Sequence, residues 1–114
     1  MDKKNNHDYL SAIQERFGSE VLAHEESFGM LNVELTPSKI HDAIAWLQAD
    51  QELSVNYLTN IAGVHYPEAL GREFAVVYQL HSWKNNIRLR IKGYLPKENL
   101  HIASITDLFD GANW

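Results

Sequence analysis

Two strand-like runs joined by a polar turn constrain the fold of this chain more than any other stretch. In residues 74–80 the larger apolar side chains alternate, so that one face carries Phe74, Val76, Tyr78 and Leu80. In residues 87–92 one face carries Ile87, Leu89 and Ile91, and the other carries Arg88, Arg90 and Lys92. A period of two is typical of half-buried strands. Lys84, Asn85 and Asn86 lie between the runs, and asparagine tolerates the left-handed backbone of a tight turn. The sequence therefore predicts a β-hairpin.

Two helices are predicted outside the hairpin. In residues 7–17 apolar side chains recur at helical spacing, and Gly18 is a natural stop. A second helix opens at Thr36 as N-cap with Pro37 at its first position, and ends near residues 49–51. Its apolar stripe is Ile40, Ala43, Ile44 and Leu47. Trp46 lies off this stripe, where it fills the edge of the core or contacts a partner.

Three further strands complete the predicted fold. Residues 30–35 alternate clearly, residues 21–26 suit a charged edge strand, and residues 53–61 carry Leu53, Val55, Tyr57 and Ile61 on one face. We expect a loop at 63–71, frayed residues at 1–6, and a tail at 103–114. The order predicts a single α+β domain, with a mostly antiparallel sheet of four to five strands and two main helices packed on one face.

Composition excludes several function classes. The 114 residues include no cysteine, which excludes disulfides, thiolate nucleophiles and cysteine-bound clusters or zinc. A net charge of −5 does not favour a nucleic-acid binder. The N-terminus has no apolar signal region and no apolar run is long enough to span a membrane. We therefore expect a soluble protein on the cytoplasmic side, attached to a membrane only through a partner.

The spacing of the polar residues gives little indication of a catalytic or metal site. The histidines are His7, His24, His41, His65, His81 and His101, and no two share a helix or strand face at ligand spacing. His41 and Asp42 lie in the second predicted helix, and the adjacent Glu25 and Glu26 point to opposite strand faces, so we interpret these groups as solvated surface rather than an acid–base pair. The hydroxyls of Ser82, Ser104 and Thr106 lie in no activating motif.

The basic strip, defined as Arg88, Arg90 and Lys92, has two interpretations. It is either a solvated strand face that blocks edge-to-edge aggregation, or a docking surface for an acidic partner. The tail is the second unusual feature, because Leu108, Phe109 and Trp114 place three large apolar residues in the last seven positions. Such a tail packs on its own core or engages another molecule.

Five segments, in order, resemble one family. They are FAVVYQL at residues 74–80, Ser82, NIRLRIK at 86–92, ASITD at 103–107 and GANW at 111–114. The family is the thirty-kilodalton subunit, also known by the letter C, of respiratory NADH:quinone oxidoreductase (complex I), with relatives in membrane-bound hydrogenases. Some members have proline at the position of Ala103 and aspartate near that of His65. The family's most specific motif, a glutamate–arginine–glutamate run, would follow Trp114, so we expect the chain to be an N-terminal fragment.

The resemblance implies a scaffold protein without cofactors of its own. Members bind no flavin, iron–sulfur cluster or metal, and they lie in the peripheral arm, on the cytoplasmic side in bacteria. They pack against the forty-nine-kilodalton subunit, known by the letter D, which helps form the quinone site. NADH oxidation, quinone reduction and proton pumping belong to the assembly. By position, the implied partner-facing residues are Arg88, Arg90, Lys92, Thr106, Asp107, Phe109 and Trp114.

The alternative is a stand-alone small α+β enzyme or binding module that uses a histidine–carboxylate site. That alternative predicts a deep pocket in which polar groups converge. The scaffold interpretation predicts shallow recesses and exposed apolar surface gathered near the C-terminal end.

Overall fold

A computed structural model describes residues 3–96 as a five-stranded mixed sheet with two helices. The helices are α1 (Asn6–Phe17) and α2 (Ile40–Ala49), with 3₁₀ turns at Gly18–Glu20 and Pro37–Lys39. The strands are β1 (Val21–Ser27), β2 (Met30–Leu35), β3 (Tyr57–His65), β4 (Phe74–Ser82) and β5 (Ile87–Leu95). The predicted α+β class and order of elements are confirmed.

The strands lie in the order β1-β2-β5-β4-β3, so β5 is at the centre of the sheet. Three neighbouring pairs are antiparallel and the central pair, β2 with β5, is parallel. The predicted hairpin is confirmed: β4 pairs with β5 from Ser82 opposite Ile87 outward, and Asn86 takes the left-handed backbone with φ of 53°.

The core lies between the helices and one face of the sheet. Leu31, Val33 and Leu35 of β2 are paired with or adjacent to Leu89 and Ile91 of β5, so all five point the same way. The buried helix residues that pack against them are Tyr9, Ile13, Ile40, Ala43, Ile44 and Leu47. Both helices therefore pack on one face of the sheet, as predicted, and within residues 3–96 no helix lies on the opposite face, which we call the open face.

The third strand lies four residues later than the sequence predicted, at Tyr57–His65 rather than 53–61. Leu53 and Val55 are buried, but they belong to the connection after α2. The amide of Val55 donates to the Leu47 carbonyl at 3.1 Å, and Ser54 has φ of 45°. Their apolar alternation therefore reflects burial beneath the end of α2, and the predicted loop at 63–71 begins only after His65.

Both helix starts also differ from prediction. Thr36 makes no side-chain cap, because a 3₁₀ turn at Pro37–Lys39 precedes α2 and the helix proper begins at Ile40. Helix α1 begins at Asn6, and the side chain of Asn5 accepts from the amide of Asp8 at 2.9 Å while the Asp8 carboxylate accepts from the Asn5 amide. This capping box explains why Asn5 and Asn6, which we expected to be frayed, have a defined structure.

Burial of two tyrosines gives the fold an alkaline pH dependence. Burial raises the pKa of Tyr78 above its ordinary value of 10.0, and burial likewise raises the pKa of Tyr9. These tyrosines therefore ionise first in the unfolded chain, so their contribution to the unfolding free energy is constant below about pH 10 and falls above it. We expect Tyr78→Phe to lessen this fall, measured by urea unfolding at about pH 8 and about pH 11. The exposed Tyr66→Phe is the control, and an equal effect from both variants would contradict this cause.

Candidate functional site

The candidate site is the open face of the sheet, on the side away from the helices. Register places three rows of side chains across it, and each row contains one member of the basic strip. Asn32, Arg90, Gln79 and Asn60 form the middle row, with Glu34, Lys92, Val77 and Ala62 on one side of it and Arg88, His81 and Tyr57 on the other. The alternation seen in the sequence thus places all three cations on the open face, as predicted.

The basic strip lies on an interior strand, which corrects one of its two interpretations. Because β5 is paired on both sides, its side chains do not protect a sheet edge, and the aggregation-blocking interpretation is wrong. Arg88 is exposed, and Arg90 and Lys92 are half-buried. Within residues 3–96 no carboxylate lies at ion-pair distance from any of the three cations. The strip is therefore a rigidly placed row of positive charge in a chain of net charge −5.

At one end of the open face, a buried carboxylate is held by an arginine. Glu34 is only 5% exposed, and Arg72 Nη2 lies 3.3 Å from its Oε1. The Arg72 guanidinium also lies over the ring of Tyr94, 4.0 Å from its centroid, and Lys92 Nζ is 5.7 Å from the same centroid. These contacts tie the loop before β4 to the centre of the sheet.

At the other end lies an aromatic cluster, defined as Tyr57, His81 and Trp83. The Trp83 ring centroid is 5.8 Å from that of Tyr57 and 5.6 Å from that of His81. Trp83 is 63% exposed and Tyr57 51% exposed. The sequence patterns did not predict this cluster, although a tryptophan at the start of a polar hairpin turn was an available signal. Aromatic rings beside arginine are common in protein interfaces.

Exposed apolar side chains gather around β3 rather than spreading evenly. In the part of the chain that the structure describes, the large exposed apolar residues are Leu22, Phe28, Tyr57, Val64, Tyr66, Leu70 and Trp83. Five of these, from Tyr57 onward, lie on β3 or next to either end of it. The tail residues predicted to face a partner, Thr106, Asp107, Phe109 and Trp114, lie outside the described residues, as does the apolar surface expected near the C-terminal end.

The histidine–carboxylate alternative gains no assembled site between residues 3 and 96. Five histidines lie in five separate elements, and His101 is outside the described residues. His41 Nδ1 is 4.0 Å from the carboxylate of its neighbour Asp42, which is largely exposed. No group of three potential metal ligands occurs among the described residues. Ser82 is fully buried and accepts from the Asn85 amide, while Ser104 and Thr106 lie outside the described residues.

An open groove separates the two helices on the far side of the molecule. Alanine, aromatic and charged side chains line it, with the Phe17 and Trp46 rings edge to face at 5.7 Å. Arg16 lies 5.4 Å from the Trp46 centroid. Trp46 therefore packs at the edge of the core, one of its two predicted roles.

No helix within residues 3–96 is long and apolar enough to cross a membrane.

Comparison with known proteins gives one consistent result. A family model described as the 30 Kd subunit of respiratory-chain NADH dehydrogenase matches residues 33–114. In Roseiflexus castenholzii, the NADH-quinone oxidoreductase subunit known by the letter C is 36% identical over 112 residues, which cover 96% of this chain and 63% of that protein. The same subunit of Ruegeria pomeroyi is 35% identical over 94 residues, covering 82% of this chain and 46% of that protein. The chain thus spans about half to two-thirds of the length of these relatives.

Solved structures share the fold. A trypsin-resistant fragment of Nqo5 superposes with a TM-score of 0.73 at 28% identity, covering 88% of this chain and 80% of the fragment. A chain of the archaeal membrane-bound sulfane sulfur reductase, a respiratory membrane complex, has the same TM-score at 15% identity, covering 90% of this chain and 58% of that one. The second likeness shows the fold alone.

Proposed function

Because the chain belongs to the family of the thirty-kilodalton subunit of respiratory-chain NADH dehydrogenase, we propose that it is a non-catalytic scaffold of a proton-pumping NADH:quinone oxidoreductase. In this role it lies in the peripheral arm and docks onto the forty-nine-kilodalton subunit. The electron transfer from NADH to quinone belongs to the assembly, and the flavin, the iron–sulfur clusters and the quinone are held by partner subunits. The chain reaches the membrane only through the complex, on its cytoplasmic side.

The basic strip is the observation that carries this proposal. Its three cations occupy alternate positions along the interior strand β5, so the sheet fixes their spacing. They have no carboxylate at ion-pair distance among the described residues. A positive row on an acidic protein is suited to a partner with a complementary acidic surface, since such charges steer and orient association. The neighbouring Tyr57 and Trp83 supply apolar contact beside the charges. This combination of charge and aromatic surface favours a protein partner over a small-molecule substrate.

The test is capture of the cognate forty-nine-kilodalton subunit by the complete tagged protein, at low and moderate salt. We expect Arg88→Glu with Arg90→Glu to weaken binding by about tenfold or more, and most strongly at low salt, because both charges are reversed on the docking surface. Lys3→Glu with Lys39→Glu is the matched control, since both lysines are exposed and lie outside the open face. The control should bind as the wild type does.

The possible outcomes test the scaffold role and the location of the docking surface separately. Capture that is insensitive to the Arg88 and Arg90 reversals would overturn the basic strip as the docking surface while leaving the scaffold role. Failure of the folded wild-type protein to capture the forty-nine-kilodalton subunit at either salt concentration would overturn the scaffold role. Circular dichroism on each variant checks that it is folded.

A further inference from the structure

Among residues 3–96 no strand pairs with the outer side of β3, and this free edge lacks the charged residues found at the opposite edge of the sheet. Strand β3 reads YLTNIAGVH and contains no aspartate, glutamate, lysine, arginine or proline over nine residues. Strand β1, at the other edge, carries Glu25 and Glu26 and is largely exposed. Natural sheets usually guard their edges with charge, proline or bulges because a bare edge is a template for another strand. The one such device in β3 is an irregularity between Leu58 and Asn60, which leaves Asn60 to His65 regular.

Exposed apolar side chains lie at both ends of this edge. Tyr57 and Trp83 lie at its start, and Val64, Tyr66 and Leu70 lie at or beyond its end. Leu70 is 89% exposed. A strand edge without a partner among the described residues, flanked by exposed apolar side chains, is the arrangement used in recognition by strand addition.

We propose that an extended segment of the partner subunit pairs with the free edge of β3 and adds a sixth strand to the sheet. The segment is uncharged where it meets the edge. It carries apolar side chains at alternate positions, where they contact Val64 and Ala62 on the open face and Tyr57 at its start. This inference rests on the proposed scaffold function and names the second contact through which the partner is held. The edge is continuous with the basic strip through the aromatic cluster, so one partner reaches both.

A second copy of this chain fits the edge less well than an unlike segment. The irregularity at Thr59 changes which face each residue occupies, because Tyr57 lies opposite His81 and Asn60 opposite Gln79, all four on the open face. If two copies paired their β3 strands antiparallel about a two-fold axis, opposed side chains would point to the same side of the sheet only within residues 60–65. Such pairing leaves Tyr57 and Trp83 uncovered. An unlike segment follows the whole edge because it carries its own matching irregularity.

The first test measures amide hydrogen exchange along β3 in the purified native complex and in the isolated complete subunit. Strand addition protects amides that otherwise exchange freely, so we expect protection of residues 57–65 in the complex to rise by about tenfold or more over the isolated subunit. The exposed amides of β1 serve as the internal reference. Equal exchange of β3 in both samples would overturn the proposal. Protection that already exists in the isolated subunit and increases with its concentration would assign the edge to a second copy instead.

The second test places lysines on the edge. Asn60→Lys with Val64→Lys replaces two exposed residues of β3, and Leu22→Lys with His24→Lys makes the matched change on β1. We expect the β3 pair to lower the amount of tagged subunit that co-purifies with the complex by about fivefold or more, because edge lysines oppose strand addition. The β1 pair should incorporate as the wild type does. Wild-type incorporation of the β3 pair would overturn the proposal.

The sign of the charge change separates the two proposals. Added lysines make the subunit more positive, which strengthens any purely electrostatic attraction of the basic strip to an acidic partner. Loss of incorporation from edge lysines with no loss from the Arg88 and Arg90 reversals would therefore leave the edge proposal standing and reject the basic strip. The opposite result would reject the edge proposal alone.

Discussion

Replacing Asn85 with alanine is expected to lower the unfolding free energy by about 2–4 kcal/mol, because several buried and partly buried hydrogen bonds are lost together. Asn85 is 5% exposed. Its Nδ2 donates to the Tyr9 hydroxyl at 2.9 Å, to the Glu52 carbonyl at 2.8 Å and to the Leu53 carbonyl at 3.3 Å. Its Oδ1 accepts from the Lys4 amide at 3.0 Å. One side chain thus joins the hairpin turn to α1 and to the connection after α2.

The cost comes mainly from the partners that alanine leaves behind. The Tyr9 hydroxyl still donates to the Leu53 carbonyl, but it loses the bond from Asn85, and the Glu52 carbonyl and the Lys4 backbone amide lose the bonds that Asn85 made to them. Buried polar groups without partners are expensive, whereas exposed ones are satisfied by water. Asn56→Ala is the matched control, because Asn56 is exposed and accepts a single bond from the Trp83 amide. We expect the control to cost less than about 1 kcal/mol.

Urea unfolding at neutral pH measures both variants. Asn85→Asp adds a second comparison, since it keeps the shape and the acceptor but directs a carboxylate oxygen at two carbonyls. It should be at least as unstable as the alanine variant, because like partial charges then face each other in a buried site. Stability of Asn85→Ala within the range of the Asn56 control would contradict the role of this network.

The same residue marks the limit of sequence reasoning. The sequence predicts the turn because asparagine tolerates a left-handed backbone, and the structure gives that conformation to Asn86. The role of Asn85 depends on Lys4 and Tyr9, which lie 81 and 76 residues away. Local propensity carries no information on contacts at such separations. The turn was therefore predictable and the network inside it was not.

Strand faces were predictable where one face is buried, and strand order was not. Alternation in residues 30–35 and 87–92 correctly separated core residues from the open face because the period of two is local. The parallel pairing of β2 with β5 joins strands separated by α2, β3 and β4. Without knowledge of this pairing, β5 could be placed at the edge of the sheet and the basic strip interpreted as charges that protect that edge. The misplaced third strand has the related cause that Leu53 and Val55 are buried by α2 rather than by strand pairing.

Some features of the candidate site were likewise predictable from the sequence, and others were not. The three cations of the basic strip were found from spacing alone, since they alternate with core residues on one strand. The ion pair of Arg72 with Glu34 and the ring contact of Tyr57 with Trp83 needed the register between strands that are distant in sequence. The bare edge of β3 likewise becomes visible only when the strand order is known.

Replacing Gly93 with valine is expected to lower the unfolding free energy by about 3 kcal/mol or more, because the added atoms have no space between β5 and the start of α2. A Cβ built on Gly93 lies 2.6 Å from Cδ1 of Ile40, 3.5 Å from Cγ of Pro37 and 3.6 Å from the Leu35 carbonyl oxygen. Ile40 is fully buried, so its side chain has little freedom to move away. The glycine therefore allows α2 to begin directly on the sheet.

The distances also predict which change relieves the clash. The nearest atom is the tip of a side chain, so Gly93→Ala should cost about 1–2 kcal/mol in the wild-type background, as moderate overpacking does. Ile40→Val removes Cδ1 and alone should cost about 1 kcal/mol. In the double variant the alanine fills the space that the missing methyl leaves, and it removes the backbone entropy cost of glycine in a strand. We therefore expect the double variant to be more stable than the sum of the single effects predicts, by about 1 kcal/mol or more.

A double-mutant cycle with urea unfolding tests this coupling, and Gly63→Ala provides the reference for glycine replacement without a clash. A Cβ on Gly63 meets nothing within 4 Å, so that variant should be neutral or slightly stabilising. Additive effects of Gly93→Ala and Ile40→Val would mean that Ile40 does not limit the space above Gly93. A favourable coupling would show that close contact at this one position sets how α2 lies on the sheet.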